Sequence, residues 1–222
     1  MDFGLAFGFV FDDPEWFRKV AIPALCGLVP VVGPFVIIGW ALKVAKNVMD
    51  GKAEQALPEV EFGADLGKGF MASLISGIYS LPAVLLIGIG AGLISLSSNA
   101  DDVISAILII AAIFMFLIAL VLLILIALLT ATGLSNYVAK GKFGAAFHFK
   151  TLFKMIQKFF GPWVLVIVGY ILAVGLIAPL GSIVCGIGAL LTTAYGYAVF
   201  THLLGQAYNL SADRAVETVD EF

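Results

Sequence analysis

The sequence of 222 residues predicts an all-α integral membrane protein. The expected form is a polytopic helical bundle with about six membrane segments and amphipathic helices at the cytoplasmic interface. Three observations predict it. Hydrophobic residues make up 62% of the chain and charged residues 12%, too few to cover the surface of a water-soluble domain of this length. Apolar runs of 18 or more residues recur, the length a helix needs to cross a ~30 Å hydrocarbon core. Those runs are uniformly apolar, whereas a transmembrane barrel alternates at period two.

The elements follow in chain order. Residues 12–19, DDPEWFRK, read as a helix start, with Asp13 as N-cap, Pro14 at the first helical position and Glu15 in the first turn. Trp16 and Phe17 beside Arg18 and Lys19 suit a short helix lying in the interface. An apolar stretch from Val20 to Val44 is interrupted by Pro30, Gly33 and Pro34. Residues 43–69 form the first polar connection, with Lys43, Lys46, Lys52 and Lys68 among several acids. Gly69 to Leu96 is apolar again, and the link 97–102 carries two Asp and no basic residue. Val103 to Leu134 is nearly pure aliphatic, about 48 Å as a helix, and overshoots the hydrocarbon core.

Residues 136–160 carry Lys140, Lys142, Lys150, Lys154 and Lys158. Phe149, Leu152, Phe153, Ile156, Phe159 and Phe160 fall at helical spacing against them, which predicts a basic amphipathic helix over 143–160 on a membrane surface. Pro162 and Trp163 enter a segment reaching Leu180, Gly181 and Ser182 turn it, and Ile183 to Tyr208 returns. Residues 1–210 thus form a single transmembrane domain, followed by a short polar tail at 211–222.

Lysine placement sets the orientation. The connections at 43–69 and 136–160 hold most of the basic residues, so the positive-inside rule places both, and the C-terminus, in the cytoplasm of an inner (plasma) membrane. No cleavable signal peptide is visible, because the start has no basic n-region. Two arrangements fit residues 20–44. A kinked single span would leave Arg18 and Lys19 outside. A re-entrant hairpin turning at Pro30, Gly33 and Pro34 returns them to the cytoplasm, provided protein covers its open backbone groups. An internal comparison favours the hairpin. Residues 26–51 and 178–205 both read as a Pro/Gly turn followed by a helix carrying Gly-aromatic-Ala, at Gly39-Trp40-Ala41 and Gly196-Tyr197-Ala198.

Phe11 through Asp13-Pro14-x-Trp16, the Pro30-x-x-Gly33 turn, Gly39-Trp40, and Leu57-Pro58 before Gly67-x-Gly69-Phe70 carry a resemblance. Over most of its length the chain resembles a prokaryotic multi-pass membrane domain of unknown function, domain four thousand and thirteen. The family often has Gly-Tyr where Gly39-Trp40 stands here. The resemblance implies a helical membrane fold and supplies no catalytic or binding residues.

Little in the chain points to catalysis. No nucleophile elbow, zinc-protease helix, P-loop or dinucleotide fingerprint is present. His148 and His202 lack His, Cys or carboxylate ligands in step with them, so neither a metal nor a cofactor is expected. Cys26 and Cys185 read as small buried residues. Gly88, Gly92, Gly169 and Gly175 read as helix-packing positions. Every Asp and Glu is assigned to a loop or terminus, which weakens the case for ion-coupled transport. No long basic block suggests nucleic acid.

The expected function is therefore a non-catalytic membrane scaffold or accessory subunit, a homo-oligomer or part of a larger membrane complex. It would engage or shape the cytoplasmic leaflet through anionic lipid, with Trp16, Arg18, Lys19, Lys150, Lys154, Lys158 and Trp163 at the lipid interface. The alternative is a small transporter component for an apolar or lipid-like substrate.

Overall fold

A computed structural model describes residues 1–183 and 187–217. Cys185 and the tail beyond 217 lie outside these residues. Every regular element among them is helical. Among the described residues, four helices are long and apolar enough to cross a membrane: Val32–Met49, Phe62–Ser97, Asp102–Lys140 and Phe160–Ile183. The chain forms two compact units, Met1–Ile75 with Ala131–Phe222, and Ser76–Thr130.

The first unit is built around α9 (Ile187–Glu217), against which α1 (Phe3–Asp12), α2 (Trp16–Cys26) and α3 (Val32–Met49) pack. The expected start at Asp13 moves to Trp16. The Asp13 carboxylate instead accepts hydrogen bonds from the Glu15 N–H at 2.8 Å and Lys19 Nζ at 2.6 Å, closing the corner between two helices. Burial pushes this carboxyl up, but those hydrogen bonds and the charges of Lys19 and Arg18 hold it below its usual value. Helix α1, unsuspected from the sequence, is capped by Asp2, whose Oδ1 accepts from the Leu5 N–H at 2.8 Å.

The chain doubles back between α2 and α3. Val31, at the tip, has a positive φ of 68° and forms the centre of a γ-turn closed by the Val32 N–H donating to Pro30 O at 2.8 Å, a conformation costly for a β-branched residue. Gly33 is obligatory beside it, since a Cβ there would lie 2.2 Å from the Cys26 carbonyl oxygen. Pro30 and Pro34 flank the turn on its exposed side. Arg18 at the start of α2 bonds Glu59, in the connection after α3, at 2.5 Å. That connection lies beside the middle of α3, where Lys43 Nζ donates to Glu59 O, so the start of α2 is tied to it.

Helices α3 and α9 run side by side in the same direction. Leu190 and Ile37 share the space beside Gly27 at one end. At the other end Asn209 Nδ2 donates to the Val48 carbonyl at 2.9 Å. The predicted repeat thus contributes two parallel neighbours.

After a 3₁₀ turn (Phe143–Phe147) come α6 (Phe149–Lys158) and α7 (Phe160–Tyr170). The predicted segment to Leu180 is not uniform. It widens to a π-helix over Ile171–Ile177 and ends in the short α8 (Ala178–Leu180). Gly196 of α9 sits against the π segment, where a Cβ would lie 2.6 Å from the Ala173 carbonyl oxygen. Gly181 closes the turn, with Gly188 O and Thr192 occupying the space a side chain would need.

Helix α4 (Phe62–Ser97) begins in the first unit and α5 (Asp102–Lys140) ends in it; the later part of α4 and the earlier part of α5 belong to the second. Within that second unit, buried Ala83, Gly90, Ala112 and Ala119 contrast with exposed Leu85, Ile110, Phe114, Val121 and Ile124. An apolar exterior of this kind is stable in lipid and not in water.

Candidate functional site

Trp40, Lys43 and Asn47 stand three and four residues apart on α3, so they share one face. All three reach the connection that follows the helix. Trp40 Nε1 donates to Pro58 O at 2.9 Å, Lys43 Nζ to Glu59 O at 2.6 Å, and Asn47 Nδ2 to Ala56 O at 2.9 Å. Ala56 and Leu57 are buried beneath these staples. The connection expected over 43–69 thus spans only the residues between Met49 and Phe62, and it lies fixed along α3.

Two glycines bring α3 and α4 into backbone contact. A Cβ on Gly39 would lie 1.8 Å from Asp65 O, and one on Gly69 would lie 1.7 Å from Phe35 O. This close crossing buries Asp65 completely. The sequence assigned every acid to a loop or terminus; Asp65 instead lies in the first turn of α4. Its Oδ2 accepts from the Glu61 N–H at 2.7 Å, and its Oδ1 meets Lys43 Nζ at 3.0 Å. A carboxylate suits this position, where the helix dipole is positive. Removing either partner would strand a buried charge.

Beside this pair opens a cleft of about 570 Å³. Lys43, Lys46, Asn47, Glu59, Glu61 and Lys68 line it from α3, the connection and α4. Tyr137, Val138 and Gly141 close it from the end of α5. The two basic connections of the sequence therefore meet at one end of this unit. Asn136 secures the second of them, donating from Nδ2 to Ala145 O at 2.7 Å.

The lipid-interface residues separate into groups. Arg18 is exposed and bonds Glu15 and Glu59. Lys19 is tied to Asp13, and Trp16 is half-buried against the Phe11 ring, 5.2 Å between centroids. On α6, Lys150, Lys154 and Lys158 are exposed, as are Phe149 and Phe153, while Leu152 and Ile156 are buried. Trp163 departs from expectation. Its indole is fully buried in the protein, so it offers no surface to lipid.

The packing glycines need a similar correction. Gly169 does pack, since Leu203 fills the space where its Cβ would be. Gly88 and Gly92 face open space, and only Ile171 of the same segment comes near Gly175. The close contact in the second unit belongs to Gly90, opposite Phe116. Along a helix, Gly90 points away from the face that Gly88 and Gly92 share.

His202 is fully buried at the centre of a polar network. Gln206 Oε1 accepts from the Asp2 N–H at 2.6 Å, and Gln206 Nε2 donates to Asp2 O at 3.0 Å. The second proton on Gln206 Nε2 points to His202 Nδ1, 3.0 Å away, which leaves His202 Nε2 to donate to Ala53 O at 2.9 Å. One tautomer of a neutral imidazole satisfies every partner, and Phe9 stacks on the ring at 4.4 Å. No group of three or more His, Cys, Asp or Glu positioned to hold a metal occurs among the described residues.

Comparison with known families matches the chain to the family described as "Protein of unknown function (DUF4013)", over residues 23–200. The chain belongs to this family. The matched region contains the α2–α3 turn, the α3–α4 crossing, the cleft and the first part of α9, and leaves out α1 and most of α2. No curated protein and no solved structure matches.

Proposed function

We propose that this DUF4013 protein is a non-catalytic membrane scaffold or accessory subunit that binds the cytoplasmic leaflet through α6 and associates with itself or a partner. The observation that carries the reading is the exposed face of α6. Lys150, Lys154 and Lys158 recur every four residues, with exposed Phe149 and Phe153 beside them, on a helix anchored inward by Leu152 and Ile156. Cations beside aromatic rings suit the headgroup boundary of an anionic bilayer, at roughly 1 kcal/mol per lysine near the surface. In this reading α2 and α9 join the four long apolar helices to give six membrane segments. The α2–α3 hairpin is then re-entrant, and the lysine-rich end, with the C-terminus, is cytoplasmic.

The test is lipid selectivity of the whole protein in nanodiscs of mixed phosphatidylglycerol and phosphatidylcholine, read with spin-labelled lipids. The triple variant K150Q/K154Q/K158Q is expected to lose most of the preference for phosphatidylglycerol. An unchanged preference would remove the reading. A second reading, transport of an apolar or lipid-like substrate, draws on the π segment Ile171–Ile177 and the break after Leu180. Such irregularities often mark functional positions in membrane helices.

A further inference from the structure

The charged groups of the cleft divide by what already holds them. Lys43 is bound to Asp65 and to Glu59 O. Lys46 is paired with Asp50 at 2.7 Å, and Glu59 with Arg18 at 2.5 Å. Three groups remain. Lys68 and the Tyr137 hydroxyl have no hydrogen-bond or ion-pair partner among the described residues. The Glu61 side chain is 68% exposed, and its one ion pair among the described residues is a loose one, 3.8 Å from Lys43. One cation, one phenol donor and one anion therefore face the same cleft without firm partners.

Glu61 immediately precedes α4 and Lys68 lies seven positions on, nearly two helical turns, so they fall on one side of the helix start about 10 Å apart along the axis. A ligand bridging them must itself carry both signs. Leu42, Pro58 and Val138 add apolar wall, and the volume of about 570 Å³ lies within the range of small-molecule sites.

We propose that the cleft binds a zwitterion in which a phosphate adjoins a primary ammonium, the chemistry of an ethanolamine phospholipid headgroup. Lys68 and Tyr137 donate to the phosphate oxygens, and Glu61 accepts from the ammonium. Leu42 and Val138 face the ester-bearing end of the molecule. A primary ammonium fits Glu61 better than a quaternary one, because its three N–H donors can hydrogen-bond a carboxylate directly. The site uses none of the α6 residues, so it stands or falls apart from the leaflet-binding reading.

Thermal stabilisation of the purified full chain in detergent tests it, titrated with short-chain phosphatidylethanolamine, phosphatidylcholine and phosphatidylglycerol, and with phosphorylethanolamine. Saturable stabilisation by phosphatidylethanolamine alone is the expected result and assigns the site to lipid. Stabilisation by phosphorylethanolamine as well supports the same chemistry with a soluble source. K68Q and E61Q should each weaken the apparent Kd about tenfold, the effect of one lost charge-assisted hydrogen bond, and K68R should retain most of the binding. Both residues are exposed, so the substitutions leave the core intact; an unchanged melting temperature without ligand will verify this. Equal stabilisation by phosphatidylcholine, no stabilisation by any probe, or binding that K68Q and E61Q leave untouched would overturn the assignment.

Discussion

The two units of this chain meet the same solvent on different terms. In Ser76–Thr130, most large aliphatic residues are exposed while Ala83, Gly90, Ala112 and Ala119 are buried, and the hydroxyls of Ser80 and Ser97 bond carbonyls of their own helix at 2.9 and 2.8 Å. In the other unit, Asp65, Asn136, Thr201 and His202 are buried. There, Asn136, His202 and Asp65 bond residues of other segments or of helix ends. Lipid is as apolar as leucine, so burial alone cannot select one helix contact over another in a membrane. The second unit needs only length and apolarity, whereas the first is specified by polar staples and close glycine crossings.

Breaking the Lys43–Asp65 pair tests the specified unit most severely. Lys43→Met is expected to cost about 3–5 kcal/mol, because a fully buried carboxylate loses its cation. Denaturant unfolding in micelles, followed by circular dichroism, measures it. Replacing both partners, as K43M/D65L, should recover most of the loss, since the penalty arises from the stranded charge. Failure to recover would mean that the pair positions α4 through geometry its replacements cannot reproduce.

Much of the fold was legible in the sequence, and the cleft was not. Helix class and apolar spans follow from composition, and the doubling back at Pro30, Gly33 and Pro34 follows from two prolines, a glycine and the placement of Arg18 and Lys19. Asp65 was hidden because it follows Lys52, Glu54, Glu59 and Glu61, and a residue in such a run reads as solvated loop. The missed signal is the pairing of small and charged residues four apart: Gly39 with Lys43, and Asp65 with Gly69. Each puts a close backbone approach and a charge on one helix face. Trp163 misled for a related reason. A Pro-Trp pair at the head of an apolar segment resembles an interfacial anchor, and only tertiary packing tells a buried indole from an exposed one.

The glycine crossing gives the next largest effect. Gly39→Ala sets a Cβ against the backbone of Asp65, an obstacle that no rotamer change relieves. A loss of about 3 kcal/mol is expected by the same unfolding measurement. A loss below roughly 1 kcal/mol would show that α3 and α4 can slide apart cheaply, and that the burial of Asp65 depends on its ion pair more than on the crossing.

Gly88→Ala and Gly92→Ala probe the other side of the comparison with the smallest effect. Both positions face open space on one side of α4, so an added methyl meets none of the described residues. Alanine should then raise stability by up to about 1 kcal/mol each, through the helix propensity that glycine lacks. If the pair instead lowers stability, or changes the oligomeric mass in native mass spectrometry, that face is covered by another helix in the assembled protein. Two glycines four residues apart permit such an approach in a membrane. The sign of this small change therefore separates a lipid-facing surface from an interface, which the same exposed residues would otherwise present alike.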